Sequence, residues 1–265
     1  MTEQTNSKIK NKIRFLTKLL LWMVTGLILL AGIFIIVLGI RSTGKPTPIV
    51  DEQGHLVEGS ISEIEEIELG GVKQWIITRA IDTNKPLLLF VHGGPGSTEF
   101  PFYKQYATQL EQDFIVVHWE QRGAGKSFSS ELTVDQLSVD HFVSDIDELS
   151  RLLKSRYQKK KIYILGHSWG TTIATLAAYR YPEHFHAYIG MGQEVQLKAA
   201  QLVSNEMLKD CAEKHGYDEI LAGLKQLPPE PPYAYDIEIK RYNWIDKCRG
   251  SVYYEGTNMF KELYR

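Results

Sequence analysis

The stretch Lys161-Ile-Tyr-Ile-Leu-Gly166-His-Ser168-Trp-Gly170-Thr-Thr172 decides the fold. Residues 162–165 form an apolar, β-forming run, and residues 171–181 read as a helix stopped by Pro182. The glycines and the serine between them therefore occupy a strand-to-helix turn. G-x-S-x-G in that setting is a sharp, strained elbow that lifts a hydroxyl above a sheet edge. Gly166 and Gly170 are the small residues that let the strand and helix backbones approach. Ser168 is the candidate nucleophile; a helix-capping serine is the alternative, and the flanking strand and helix favour the nucleophile.

Outward from this turn the same units recur. Residues 86–91 (Pro-Leu-Leu-Leu-Phe-Val) and 114–118 (Phe-Ile-Val-Val-His) are continuous apolar runs, as expected of strands buried on both faces. Residues 61–69 and 72–81 cluster β-formers around Gly70-Gly71 and predict a hairpin. Val139, Phe142, Val143, Ile146, Leu149, Leu152 and Leu153 recur at helical spacing, with Ser138 or Asp140 available as the cap. Residues 186–191 predict one more strand. Strands alternating with helices give an α/β fold with a mostly parallel sheet and helices on both faces. Beyond Gly192 the sequence turns helical, over 193–225 and 237–249 around Leu227-Pro-Pro-Glu-Pro-Pro232. Residues 61–192 are thus the expected core, and 193–265 part of a helical cap.

A second motif, His92-Gly93-Gly94-Pro95-Gly96, closes the 86–91 strand. A glycine-rich loop there can aim a backbone N–H at a developing oxyanion. Gly94 and Trp169 are the two candidate donors. The plain alternative is a tight turn that uses Gly93, Pro95 and Gly96 for geometry. His92 reads as structural, since it precedes the serine where a triad base follows it. Next comes Trp119-Glu-Gln-Arg-Gly-Ala-Gly-Lys-Ser127. Its Gly-Lys-Ser ending has Glu120 where a phosphate-binding loop needs glycine, which argues against nucleotide binding. Arg122 is expected to pin neighbouring segments or to meet a substrate carboxylate. No H-E-x-x-H or C-x-x-C spacing occurs, so neither metal nor cofactor is expected.

The 265 residues are 43% hydrophobic, enough for a buried core, and 30 basic against 32 acidic residues give no cause to expect nucleic acid. The asymmetry lies at the start. Lys8, Lys10, Lys12, Arg14 and Lys18 precede an uncharged run over 19–40, which as a helix would be about 33 Å long and would span a bilayer. A cleaved signal has a shorter apolar region and a small-residue exit, whereas this run leaves as Leu38-Gly39-Ile40-Arg41. The positive-inside rule places 1–18 in the cytoplasm, 19–40 in the cell membrane as a single-pass anchor, and the rest outside, with 41–60 as a linker. Cys211 and Cys248 have the option of pairing in an oxidising compartment, but their spacing alone specifies nothing.

The three motifs at 92–96, 120–127 and 166–170 resemble HGGPG, D-Q-R-G-x-G-x-S and G-x-S-W-G of the proline iminopeptidase-like serine peptidases, a branch of the α/β-hydrolase superfamily. The resemblance covers about residues 61–191, with Glu120 in place of the family's aspartate. It implies the α/β-hydrolase fold and an aminopeptidase acting on peptides or small amides and esters, with acidic cap residues holding the substrate amine. Glu194, Glu206 and Glu213 are available for that. An esterase or lipase, or an anchored binding module without catalysis, are the alternatives. In this superfamily the triad acid and base follow the nucleophile in the chain. Among His184, His186, His215, Asp210, Asp218, Asp236 and Asp246, none has the expected setting, so triad acid and base are not found. A truncated, poorly active chain is the expectation.

Overall fold

The computed structural model describes residues 2–41, 46–231 and 233–248. Residues 42–45 of the expected linker, Pro232, and 249–265 of the expected cap lie outside the described residues. Contacts divide the chain into two units, 1–47 and 48–265.

In the first unit the described residues include one helix, α1 (Thr2–Arg41), continuous across the expected boundary at residue 18. Its segment Arg14–Val37, 24 residues with a mean hydropathy of 2.8, is long and apolar enough to cross a membrane.

Among the described residues the second unit is built on a six-stranded mixed sheet in the order β1-β2-β4-β3-β5-β6. The strands are β1 (Ile61–Leu69), β2 (Val72–Ala80), β3 (Leu87–Val91), β4 (Ile115–Glu120), β5 (Ile162–His167) and β6 (Phe185–Met191). The expected hairpin is present, with Leu69 opposite Val72 and glycines at positive φ in its turn. β2 joins β4 antiparallel, and from β4 through β3 and β5 to β6 the pairing is parallel.

Side chains alternate across this sheet as the two-residue period requires. Leu87, Leu89, Val91, Ile115, Val117, Ile162 and Ile164 face α3 (Val139–Arg156) and α4 (Trp169–Arg180), packing on Phe142, Ile146, Leu149, Ile173 and Ala177. Leu88, Phe90, Val116 and Leu165 face the other way, towards α2 (Phe100–Tyr106), whose Tyr103 is buried among them. Helix α2 leaves no periodic apolar signature in its seven residues. β6 differs from its neighbours: after the buried Phe185 its residues are exposed or half-buried, and among the described residues it forms the sheet edge.

The cap segment is more broken than its sequence predicts. The expected helical stretch over 193–225 holds α5 (Leu197–His215) and α6 (Asp218–Leu224), divided where Gly216 takes the left-handed conformation that ends a helix. The third, α7 (Tyr235–Lys247), begins two residues before the expected stretch. Leu208, Ala212 and Ile220 form a separate small core with Trp244 and Ile245 against it. Cys211 and Cys248 are joined as a disulfide at this core. Closing a loop of 37 positions restricts the unfolded chain by about 4 kcal/mol in the chain-entropy model. The Cys211→Ser, Cys248→Ser double variant should therefore expose α5 and α7 to limited proteolysis well before the sheet is cut, as mass spectrometry of the fragments would reveal.

Candidate active site

The carboxyl ends of β3, β4 and β5 lie side by side, because these strands are neighbours and parallel. Each of the three sequence motifs begins there. Open parallel sheets place their sites at this edge, outside the strand ends.

Ser168 joins β5 to α4 at φ 48° and ψ −121°, a conformation that non-glycine residues avoid and that strains the backbone. The turn is held from both sides. The Ser168 N–H donates to the Met191 carbonyl at the end of β6 (2.9 Å), and the Ser168 carbonyl accepts from the Thr171 N–H (2.8 Å) and hydroxyl (2.6 Å). The glycines on either side leave no room for a side chain. A Cβ on Gly166 would stand 2.6 Å from the Gly170 carbonyl oxygen, and one on Gly170 would collide with the Val91 and His92 carbonyls. Ser168 itself is half-buried.

The loop after β3 closes on this turn. A Cβ on Gly93 would lie 3.2 Å from both the His167 carbonyl oxygen and the Ser168 Cβ. Gly94 and Gly96 have positive φ, which favours glycine at both positions, and the Gly94–Pro95 peptide is cis. The first N–H groups of α4, that of Trp169 included, have no carbonyl within the helix to meet. The Trp169 ring packs edge-on against Phe142, and its Nε1 donates to Gln121 Oε1 at 3.2 Å.

His92 is buried with both ring nitrogens engaged: Nδ1 donates to the Gly93 carbonyl (2.7 Å) and Nε2 accepts from the Gln121 N–H (3.2 Å). Burial lowers its pKa below the usual histidine range. A neutral, doubly bonded imidazole ties two loops together. Gln121 completes the tie by donating to the His92 carbonyl at 2.7 Å.

Arg122 is buried and bidentate to Asp145 of α3, Nε to Oδ2 at 2.7 Å and Nη2 to Oδ1 at 2.6 Å, while Nη1 donates to the Gln136 carbonyl (2.9 Å). Of the two expected roles, pinning segments fits this geometry. A substrate carboxylate does not, since the guanidinium is already engaged on each side. Glu120, at the position expected to be acidic, accepts from the Lys126 N–H (2.5 Å) and the Thr98 hydroxyl (3.2 Å), and the Lys126 ammonium lies over the Trp75 ring.

Among the described residues no imidazole hydrogen-bonds the Ser168 hydroxyl. His184 pairs with Asp147 (2.7 Å) and Lys154 (2.8 Å), the His186 ring lies tilted against Tyr163, and His215 stacks on Tyr217. Of the cap acids, Glu194 accepts from the Thr172 hydroxyl at 3.2 Å, while Glu206 and Glu213 line a cap pocket of about 440 Å³ with Leu202 and Tyr233. No group of His, Cys, Asp and Glu suited to a metal ion occurs among the described residues.

Sequence reasoning missed two titratable groups beside the turn. His167 precedes Ser168, and its Nδ1 donates to Glu99 Oε1 at 2.6 Å. That bond raises the His167 pKa against the opposing effect of burial. Chain order points to an imidazole after Ser168, which passes over His167. Glu99 stands just three residues past the glycine loop, where spacing gives no signal.

Residues 86–219 match the alpha/beta hydrolase fold family. The chain is 32% identical over 192 residues to a Bacillus subtilis (strain 168) protein named probable aminopeptidase YbaC, across 72% of this chain and 60% of that relative. It is 27% identical over 173 residues to the proline iminopeptidase of Elizabethkingia meningoseptica, across 63% of this chain and 53% of the relative. The chain thus spans between about half and 60% of these relatives' lengths. A solved structure of a proline iminopeptidase-related protein from Thermus thermophilus superposes with a TM-score of 0.47 at 21% identity, over 72% of this chain and 67% of that one. The chain belongs to the alpha/beta hydrolase fold family, and it is similar to relatives named for aminopeptidase and proline iminopeptidase.

Proposed function

We propose that this protein is a membrane-anchored serine hydrolase of the aminopeptidase type, releasing an N-terminal residue such as proline from peptides or small amides. The observation that carries the reading is Ser168 at φ 48°, on a strand-to-helix turn packed against the Gly93-Gly94 loop. Acyl transfer asks for a nucleophile and for donors aimed at the developing oxyanion. In this reading Ser168 Oγ attacks the carbonyl carbon, and the Gly94 and Trp169 N–H groups hold the oxyanion. As the C–N bond breaks, the proton given up by the Ser168 hydroxyl ends on the departing amine, and water then hydrolyses the acyl-serine ester to release the acid and restore the hydroxyl. An anchored binding module is the second reading; in its favour, no described imidazole bonds the Ser168 hydroxyl.

The substrate class is supported by the relatives named for aminopeptidase and proline iminopeptidase activity. An enzyme that demands a free N-terminus binds its ammonium close to the scissile carbonyl, because only the α-carbon separates them. Prolyl amides with a free amine should therefore be turned over at least about a hundredfold faster than their N-acetylated forms, given the strength of charge-assisted contacts. Steady-state assays of the two substrates measure this. Equal rates would move the assignment to an esterase or endopeptidase.

Anchoring rests on Arg14–Val37 and on the basic residues before Leu19. With the N-terminus cytoplasmic and the hydrolase outside, the Cys211–Cys248 disulfide falls on the oxidising side. A phosphatase reporter fused after Ser60, active only outside the cytoplasm, should be active. A reporter that works only in the cytoplasm would overturn this topology.

A further inference from the structure

We propose that Glu99 is a positioning residue for acyl transfer, clamping the glycine loop to the nucleophile turn by accepting hydrogen bonds from Gly93 and His167 at once. The proposal rests on Ser168 being the nucleophile.

Glu99 Oε1 accepts from the Gly93 N–H at 3.2 Å and from His167 Nδ1 at 2.6 Å. The carboxylate, the loop and the turn converge on one point, the place a Cβ on Gly93 would occupy. Glu99 Oε1 lies 2.8 Å from it, and the His167 carbonyl oxygen and Ser168 Cβ each lie 3.2 Å from it. One oxygen atom therefore fixes the separation between the strand carrying the nucleophile and the loop carrying a candidate oxyanion donor, Gly94. Orientation matters here as much as distance. The Gly93 N–H belongs to the peptide just before the one whose N–H would meet the oxyanion, and glycines give this loop little stiffness of their own.

Both ends of the clamp are anchored. The Glu99 carbonyl accepts from the Tyr103 N–H at 3.0 Å, tying it to α2, whose Tyr103 is buried in the core beneath. His167 ends β5 in register with Met191, and the next residue donates to the Met191 carbonyl. The Glu99 and His167 side chains retain 20% and 36% of their exposure, so the clamp is neither a deeply buried core pair nor a freely solvated surface pair. The raised His167 pKa is what a carboxylate on Nδ1 would produce. An electrostatic donor is useful only when preorganised, and losing one such donor typically costs about 10²- to 10³-fold in rate.

The test compares the 265-residue chain with Ser168→Ala, Glu99→Ala, Glu99→Gln and His167→Asn. The first readout is the rate of labelling by a fluorophosphonate, which captures the nucleophile and leaves a tetrahedral phosphoryl oxygen in the oxyanion position. Expected are no labelling of Ser168→Ala and about 10²-fold slower labelling of Glu99→Ala. Glu99→Gln keeps an acceptor oxygen and His167→Asn keeps a donor, so each should stay within about tenfold of the wild type. The second readout needs no reaction. By NMR, the His167 imidazole should titrate above the usual histidine value in the wild type and fall towards it in both Glu99 variants. The Gly93 amide should exchange slowly with solvent in the wild type and Glu99→Gln, and fast in Glu99→Ala. Wild-type labelling rates in Glu99→Ala, with Ser168→Ala unlabelled, would overturn the positioning role and leave Ser168 the nucleophile. Glu99→Gln as slow as Glu99→Ala would also overturn it, because an acceptor oxygen would then not suffice. A wild-type chain that is not labelled overturns the nucleophile reading and this proposal together.

Discussion

Ser168→Ala is expected to remove the hydrolysis attributable to this site; where a triad is complete, losing its serine costs about 10⁶-fold in turnover. The expectation rests on geometry. A half-buried serine held at φ 48° between two glycines that admit no Cβ has no evident packing task, so its alanine variant should melt within about 1 kcal/mol of the wild type. The measurements to pair are prolyl-amide turnover and the denaturation midpoint. Lost activity at unchanged stability assigns the residue to chemistry. Retained activity would place the chemistry on another group and overturn Ser168 as the nucleophile.

Asp145→Ala should have the opposite signature, a large loss of stability. Asp145 is fully buried in α3 and takes two bonds from Arg122 and one from Gln74 Nε2 at 2.8 Å; Gln74 in turn accepts from Trp119 Nε1 at 2.8 Å. Removing the carboxylate strands a guanidinium that is itself buried, and breaking a buried pair from one side typically costs about 3–5 kcal/mol. Urea denaturation should show the midpoint falling by a corresponding amount. The hairpin should suffer as well, since Gly70 packs so closely on Arg122 and Asp145 that a Cβ would stand 2.5 and 2.6 Å from them. If the variant denatures within about 1 kcal/mol of the wild type, Arg122 finds another partner and the pair does not pin the loop.

The central strands β3 and β4 are legible in the sequence because they are buried on both faces and therefore written as apolar runs. Residues 86–91 and 114–118 correspond to β3 and β4 with boundaries moved by two residues or fewer, and the elbow announces itself through glycines whose necessity is steric. Elements governed by contact rather than by period are illegible. Helix α2 is short and partly apolar, its place decided by Tyr103 entering the core. The division of α5 from α6 hangs on the backbone of Gly216. In the site, the motif residues are readable from adjacency, whereas Glu99 and His167 are 68 positions apart and meet only after two strands have paired. Arg122 reads equally as either of two roles, and only its burial decides between them. The disulfide has no signature in two lone cysteines; it follows from α5 and α7 packing side by side.

That disulfide also governs how the protein can be made. In a reducing cytosol Cys211 and Cys248 stay thiols, and α5 and α7 are held by a core of three buried side chains and their neighbours. Material produced there would carry an intact sheet under a loosened cap, and would differ in protease sensitivity from material exported before folding. Production by secretion, or in an oxidising host, yields the covalently closed form, so preparations from the two routes are different samples until their thiols have been counted.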